Sequence, residues 1–337
     1  MRVIYLLARQ FHCRANKSAR MELLRYFWVL GLLLTLACGY SFAAEPTATP
    51  GPSATPRPTN TVLPTLRAAT PTARAVQPTV APFAKLISAS SYKLYMECTG
   101  SGSPTVVFDS GLSATGRSWY LVAPQAAKLA RVCTYDRANT GRSERAATPR
   151  TSQDLVNDLR TLLKNAGIQP PYVLVGHSLG GLNVRLFASE YRSDVAGIVL
   201  VDSAHEDEWE RFGALLPPAF PGEPPQFKDF RKQLTDPIMG TEHIDIKTSG
   251  DQMKAMRQSF GDMPLYVISH GKPVADVPAM VSPIFEQVWS DLQKDLLKWS
   301  SNSRQIIAAQ SDHGIPSEQP ELVVDAVREE LDAIRNR

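Results

Sequence analysis

The chain has 337 residues, 43% hydrophobic and 20% charged, an ordinary globular composition long enough for one large core. The formal net charge of +3 is unevenly placed: residues 1–85 hold ten Lys/Arg against two Asp/Glu, and residues 86–337 hold 26 against 31. The part able to fold is therefore mildly acidic, which argues against nucleic acid as a partner.

In chain order, residues 1–44 read as an export segment. Arg14, Lys17, Arg20 and Arg25 precede the uncharged stretch Tyr26–Ala44, with Leu30, Leu32, Leu33, Leu34 and Leu36 at its centre. Basic then apolar is the order of a secretory signal. Three outcomes stay open. Ser41-Phe42-Ala43 resembles a small-x-small cleavage site, and Thr35-Leu36-Ala37-Cys38 resembles a lipobox with Thr35 where Leu is usual. Left uncleaved, the 19 residues are just long enough to span a bilayer as an anchor. Residues 45–83 follow with nine prolines and nine threonines. Proline removes backbone donors and favours extended conformations, so this stretch is a disordered spacer. It resembles the Thr/Pro-rich tethers of bacterial exported domains. The expected location is the bacterial cell envelope, membrane-tethered or secreted, with residues 84–337 facing away from the cytoplasm.

Residues 84–337 read as one domain. Residues 85–90 and 92–98 form a predicted hairpin, and 104–108 a short buried strand ending at Asp109-Ser110-Gly111. A helix over 118–130 and a strand over 131–135 follow. An amphipathic helix over 151–166 has Leu155, Leu159, Leu162 and Leu163 on one face and Thr151 as N-cap. Pro170-Pro171 then break the chain. Tyr172-Val173-Leu174-Val175 reads as a buried strand, Gly176-His177-Ser178-Leu179-Gly180 as a Gly-x-Ser-x-Gly turn, and a helix begins at once. Side chains at Gly176 or Gly180 would collide with the neighbouring strand and helix. The turn strains the Ser178 backbone and projects its hydroxyl from the top of the sheet. Strands over 195–201, 263–269 and 305–309 and a helix over 321–334 complete an alternation that implies a mostly parallel sheet with helices on both faces. Between them, residues 204–262 lack a clear strand and carry Trp209, Phe212, Phe220, Phe227, Phe230, Met239, Met253, Met256 and Phe260. An insertion at the carboxyl edge of a parallel sheet lies over the place where ligands bind, so it reads as a cap.

Four stretches make the chain similar to the α/β-hydrolase superfamily, and within it to bacterial esterase-like serine hydrolases. They are Cys-Thr-Gly-Ser-Gly-Ser-Pro at 98–104, Tyr-Asp-Arg-x-x-x-Gly-x-Ser at 135–143, Gly-His-Ser-Leu-Gly-Gly at 176–181 and Val-Leu-Val-Asp-Ser at 199–203. The resemblance covers about residues 90–337 apart from the cap. It implies the α/β-hydrolase fold, with a mostly parallel eight-stranded sheet, helices on both faces and a cap insertion. It also implies the chain order nucleophile, acid, histidine.

On that resemblance Ser178 is the nucleophile. A serine there disfavours haloalkane dehalogenases and epoxide hydrolases, whose elbow carries aspartate. His313 is the base, although Asp312 stands where the family usually has glycine. His177 is a structural or oxyanion-side residue, His12 lies in the tail, and His205, His243 and His270 read as surface residues. Two acids remain open. Asp202, at the end of its strand, is preferred over Asp276, which lies in a Pro-flanked loop seven residues past its strand. The oxyanion hole is expected from the backbone N–H groups of Leu179 and Leu112. In the family's sheet the strands bearing Cys98 and Cys133 are neighbours, so a disulfide and two buried thiols are both compatible. No metal-ligand spacing and no phosphate loop occurs, and no cofactor is expected. The expected activity is cleavage of a small, apolar ester through an acyl-enzyme. The rivals are an amidase or peptidase, a lipase, an acyltransferase or a non-catalytic binding protein on the same fold.

Overall fold

The computed structural model describes residues 81–216 and 218–336. The export-like segment 1–44 and nearly all of the spacer 45–83 lie outside the described residues, and so do the readings made of them. Among the described residues no helix is long and apolar enough to cross a membrane.

The ten strands in chain order are β1 (Phe83–Ser88), β2 (Lys93–Thr99), β3 (Thr105–Asp109), β4 (Val132–Tyr135), β5 (Tyr172–His177), β6 (Val195–Val201), β7 (Ile238–Met239), β8 (Ile244–Asp245), β9 (Leu265–His270) and β10 (Ser303–Ala308). Eight of them form one sheet in the order β1-β2-β4-β3-β5-β6-β9-β10. β1 and β2 make an antiparallel hairpin and β2 pairs antiparallel with β4, while every other pairing is parallel. The central strands are continuous Val/Ile/Leu runs because helices cover both of their faces. Cys98 and Cys133 stand opposite each other in the β2–β4 register and are joined by a disulfide.

The helices are α1 (Ala123–Ala126), α2 (Ser152–Ala166), α3 (Leu179–Glu190), α4 (Glu208–Gly213), α5 (Pro225–Thr235), α6 (Ile246–Ala255), α7 (Ser282–Leu296), α8 (Ile315–Glu318) and α9 (Pro320–Arg335). α2 starts at a capping box between Thr151 and Asp154 and stops at Gly167, whose φ of 72° suits a left-handed cap. Its leucine face joins α3 in the core on one side of the sheet. Val323, Val324, Val327 and Leu331 of α9 close the core on the other side.

Three expectations are corrected. The helix expected over 118–130 is a 3₁₀ turn, Gly116–Trp119, followed by the short α1. Pro124 has no N–H to donate and fits only a first turn, so α1 starts there. α7 was not foreseen, although Phe285, Trp289, Leu292 and Leu296 recur at helical spacing and are buried. The cap is not free of strands, since β7 and β8 pair as a two-stranded ribbon among α4, α5 and α6. Its apolar residues also divide. Met253 and Phe260 belong to the main core, whereas Phe212, Phe227 and Phe230 pack with Val277, Val281, Phe285 and Trp289 in a separate cluster.

Candidate active site

Ser178 sits between β5 and α3 at φ 52° and ψ −122°, a backbone conformation that non-glycine residues rarely adopt. The neighbours leave no room for side chains on the flanking glycines. A Cβ on Gly176 would lie 2.4 Å from the Gly180 carbonyl oxygen, and one on Gly180 would lie 2.3 Å from that of Asp109. The elbow is tied to β6 and its following loop. The Ser178 N–H donates to Val201 O at 3.1 Å, and Ser178 O accepts from Ala204 N–H at 2.9 Å. Ser178 lines an open cleft of about 700 Å³ with His313, His177, Gly111 and Leu112.

His313 lies between β10 and α8. Its Nδ1 is 2.6 Å from Asp202 Oδ2, so the ring presents Nε2 as its remaining nitrogen. Asp202 follows β6 at φ 43° and is fully buried. It accepts three more hydrogen bonds, from Trp289 Nε1–H at 2.9 Å, the His270 backbone N–H at 3.1 Å and His270 Nδ1 at 2.7 Å. Burial alone would raise its pKa, but the hydrogen bonds from His270 and His313 hold it well below the usual carboxylate range. His313 is raised. Burial opposes its cation, and the hydrogen bond and charge of Asp202 outweigh burial. Asp276, the other candidate acid, is exposed, and no histidine bonds to it among the described residues. The structure thus brings His313 to Asp202 and not to Asp276.

Two histidines expected at the surface are not there. His205 is buried, its Nδ1 accepting from Asp207 N–H at 3.0 Å and its Nε2 standing 3.2 Å from Asp295. His270 bridges Asp202 and Glu286, with both ring nitrogens 2.7 Å from a carboxylate oxygen. Single residues flanked by polar neighbours gave no periodic signal for either burial. His243 is exposed. Within the elbow, His177 Nε2 lies 2.8 Å from His313 O, and burial, then the His313 charge, push its pKa down to about 4. It is a neutral ring that holds the His313 backbone.

The loop carrying Leu112 is built by a residue to which no role was assigned from the sequence. Arg137 is buried, with Nη1 2.7 Å from Asp109 and 2.5 Å from Ser110 O, Nη2 2.6 Å from Gly111 O, and Nε 2.7 Å from Glu242. Glu242, from the cap turn between β7 and β8, also accepts from Ser113 N–H at 2.7 Å. The Leu112 and Leu179 amides, by contrast, have no hydrogen-bond partner among the described residues. Arg137 stands in the Tyr-Asp-Arg stretch, so its presence was visible, but Glu242 had no sequence signal. Glu208 of α4, raised to about 7 by burial, lies within electrostatic reach of His313 and Asp202.

Asp202, His270 and His313 offer ligand atoms within 4.8 Å of one another. The N···O separations of 2.6 and 2.7 Å are those of direct hydrogen bonds. Two ligands on one tetrahedral zinc would stand roughly 3.4 Å apart.

Comparisons with known proteins agree with this fold. A family model described as alpha/beta hydrolase fold matches residues 104–329. The chain is 31% identical over 224 residues to the uncharacterized protein YqjL of Bacillus subtilis, covering 66% of this chain and 82% of that protein. It is 33% identical over 107 residues to an AB hydrolase superfamily protein of Gibberella zeae, of which it spans 33%. Among solved structures it resembles a thermophilic esterase from Thermogutta terrifontis, with a TM-score of 0.53 at 20% identity over 76% of this chain and 99% of that one. Cfl2 from Burkholderia cenocepacia gives a TM-score of 0.53 at 19% identity over 73% and 94%. At such identities the structural likeness speaks for the fold alone. With its eight-stranded sheet, its elbow after β5 and a family match over most of its length, the chain belongs to the alpha/beta hydrolase fold family.

Proposed function

We propose that the domain is a serine hydrolase that cleaves an apolar carboxylic ester through an acyl-enzyme. One observation carries this reading. A positive-φ serine on a strand–helix elbow shares a cleft with a histidine whose Nδ1 is held by a buried carboxylate. Ser178 Oγ attacks the ester carbonyl while His313 Nε2 takes the hydroxyl proton and then passes it to the departing alkoxide. Water, its proton taken by the same nitrogen, cleaves the acyl–Ser178 bond and restores the hydroxyl. Asp202 holds His313 in the tautomer with Nδ1–H. The free N–H groups of Leu179 and Leu112 receive the developing oxyanion, with Arg137 fixing the second of the two loops.

A second cavity of about 190 Å³ within the cap, separate from the Ser178 cleft and lined by Trp209, Phe212, Phe230, Met239 and Phe285 with Glu208 at its wall, is in keeping with an apolar ligand. The likeness in fold to a Thermogutta terrifontis protein described as an esterase is in keeping with an ester substrate. A fluorophosphonate probe should label the protein at Ser178, and chromogenic esters of graded acyl length should be cleaved. Equal labelling of Ser178→Ala would overturn the assignment, and absence of both labelling and ester cleavage in the wild type would overturn the activity.

We also propose that the segment before residue 84 exports the domain, leaving it membrane-tethered or secreted. Mass spectrometry of the mature N-terminus distinguishes cleavage after Ala43, processing before Cys38 and retention of the whole segment. Recovery of unprocessed chain in the cytosol would sink the export reading.

A further inference from the structure

A carboxylate can only accept hydrogen bonds. A histidine with both ring nitrogens on carboxylates must therefore donate from both and carry a positive charge. His270 is in that position, between Asp202 Oδ2 and Glu286 Oε2 at 2.7 Å each. Its ring stacks on Trp289, with centroids 5.9 Å apart, and Trp289 in turn donates to the other Asp202 oxygen. The His270 side chain is 5% exposed and Asp202 is 0% exposed, whereas Glu286 on α7 is 21% exposed and reaches solvent.

The resting state of the mechanism proposed above sets an electrostatic problem. His313 must be neutral to take a proton from Ser178. Asp202 is then a fully buried carboxylate with no cation on the His313 side, which burial penalises heavily. The cheapest relief would be to keep a proton on His313, and that would disarm the base at neutral pH. A cation fixed on the other side of Asp202 removes the difficulty.

We propose that His270, held as an imidazolium by Glu286, is a positioning residue that serves as the permanent counter-ion of Asp202 and tunes the basicity of His313. This rests on the reading of His313 as general base. His270 supplies the charge and two hydrogen bonds that keep Asp202 ionised and aimed at His313. Glu286 keeps the positive charge from spreading to His313 in full. Although burial favours a neutral ring, hydrogen bonds and charge from Asp202 and Glu286 raise His270 to about 9. The other charged groups around the pair are few. His313 comes from the loop before α8, and Glu208 of α4 is within electrostatic reach of Asp202. Lys272, beside His270 in the same small cavity, directs its ammonium to Gln310 O. Gln305 of β10, also lining it, is neutral and donates to Ser269.

Two charge changes should move the same titration in opposite directions. The acid limb of kcat/KM reports the free enzyme's base, here His313. His270→Gln removes the cation while retaining a donor, so the limb should rise by on the order of one pH unit. Glu286→Gln removes the balancing anion while Asp202 keeps His270 protonated in the acid range, so the limb should fall. A purely structural role would lower kcat at every pH without opposed shifts. Shifts of the same sign, or no shift, would overturn the proposal. If His270→Gln does not fold, Glu286→Gln and a second measurement decide. In histidine-labelled Ser178→Ala protein, NMR titration should show the His270 ring doubly protonated at pH 8, and a neutral ring there would overturn the counter-ion. This readout needs no substrate. A doubly protonated His270 together with a wild-type protein that cleaves no ester would sink the hydrolase reading and leave the imidazolium pair intact.

Discussion

In the proposed mechanism Ser178 and His313 act on the same proton, so at the residue scale their effects should not add. Ser178→Ala and His313→Ala should each remove nearly all ester cleavage, and the double variant should be scarcely worse than either, measured by steady-state kinetics. Substantial activity in the His313 variant would reassign the base. The acid is tested by ranking. Asp202 is buried under four N–H donors and Asp276 is exposed. Asp202→Asn should therefore lower kcat on the order of 10⁴-fold, the loss seen when a triad acid can no longer hold the tautomer, and Asp276→Asn should change little. The opposite ranking would move the acid to the later loop. Ser178 was legible because an elbow is a local pattern of five residues. His313 was legible from its place between the last strand and the last helix. The choice between the two aspartates was legible only as a preference, since each ends a plausible strand.

At the scale of elements, the loops around the candidate site are held by charges brought from distant segments. Arg137 ties the Ser110–Gly111 carbonyls after β3 to Glu242 in the cap. Arg137→Ala would leave Asp109 and Glu242 buried without their cation, a loss of about 3–5 kcal/mol in urea unfolding. A variant of unchanged stability would show that the clamp is dispensable. β2 and β4 are tied covalently as well as by their ladder. Closing a loop over the 35-residue separation restricts the unfolded chain, so reduction of Cys98–Cys133 should cost about 2–4 kcal/mol. Thiol titration of the denatured protein with and without reductant checks the bond itself. The strands of the sheet were legible because buried runs and breakers are contiguous in sequence. α1 and α7 were not. The first is cut short by one proline, and the second sits in a polar stretch whose apolar stripe is divided, Phe285, Trp289 and Leu292 facing the cap cluster and Leu296 the main core.

For the whole molecule, buried histidines set the pH range of stability. Burial pushes His177 down to about 4, and burial with the charge of Arg185 does the same to His205, against an ordinary value of 6.5. Their folded values lie below the unfolded ones, so the unfolded chain gains protons first on acidification. Their contribution is complete above about pH 6.5 and is lost as pH falls towards 4. His270 has the reverse sign. Its contribution is complete below 6.5 and is lost as pH rises through about 9. Urea midpoints should therefore fall on the acid side over that interval, and His270→Gln should flatten the alkaline side. A midpoint independent of pH from 4 to 6.5 would show that the two rings are not buried as neutral groups.

The sequence by itself determined the alternation of strands and helices, the elbow that strains Ser178, the family to which these stretches belong and the chain order of the triad candidates. Each of these depends on residues a few positions apart, or on the order of elements along the chain. Only the tertiary structure decided that Asp202 and not Asp276 meets His313, that His270 and Trp289 close around the same carboxylate, and that Arg137 joins the cap to the Leu112 loop. Those contacts bridge separations of 111, 68, 87 and 105 residues. The His313 and His270 contacts exist because the order β6-β9-β10 sets the carboxyl ends of three distant strands side by side, and the other two because a helix and the cap ribbon reach those ends, where buried charges must find partners whatever their distance in sequence.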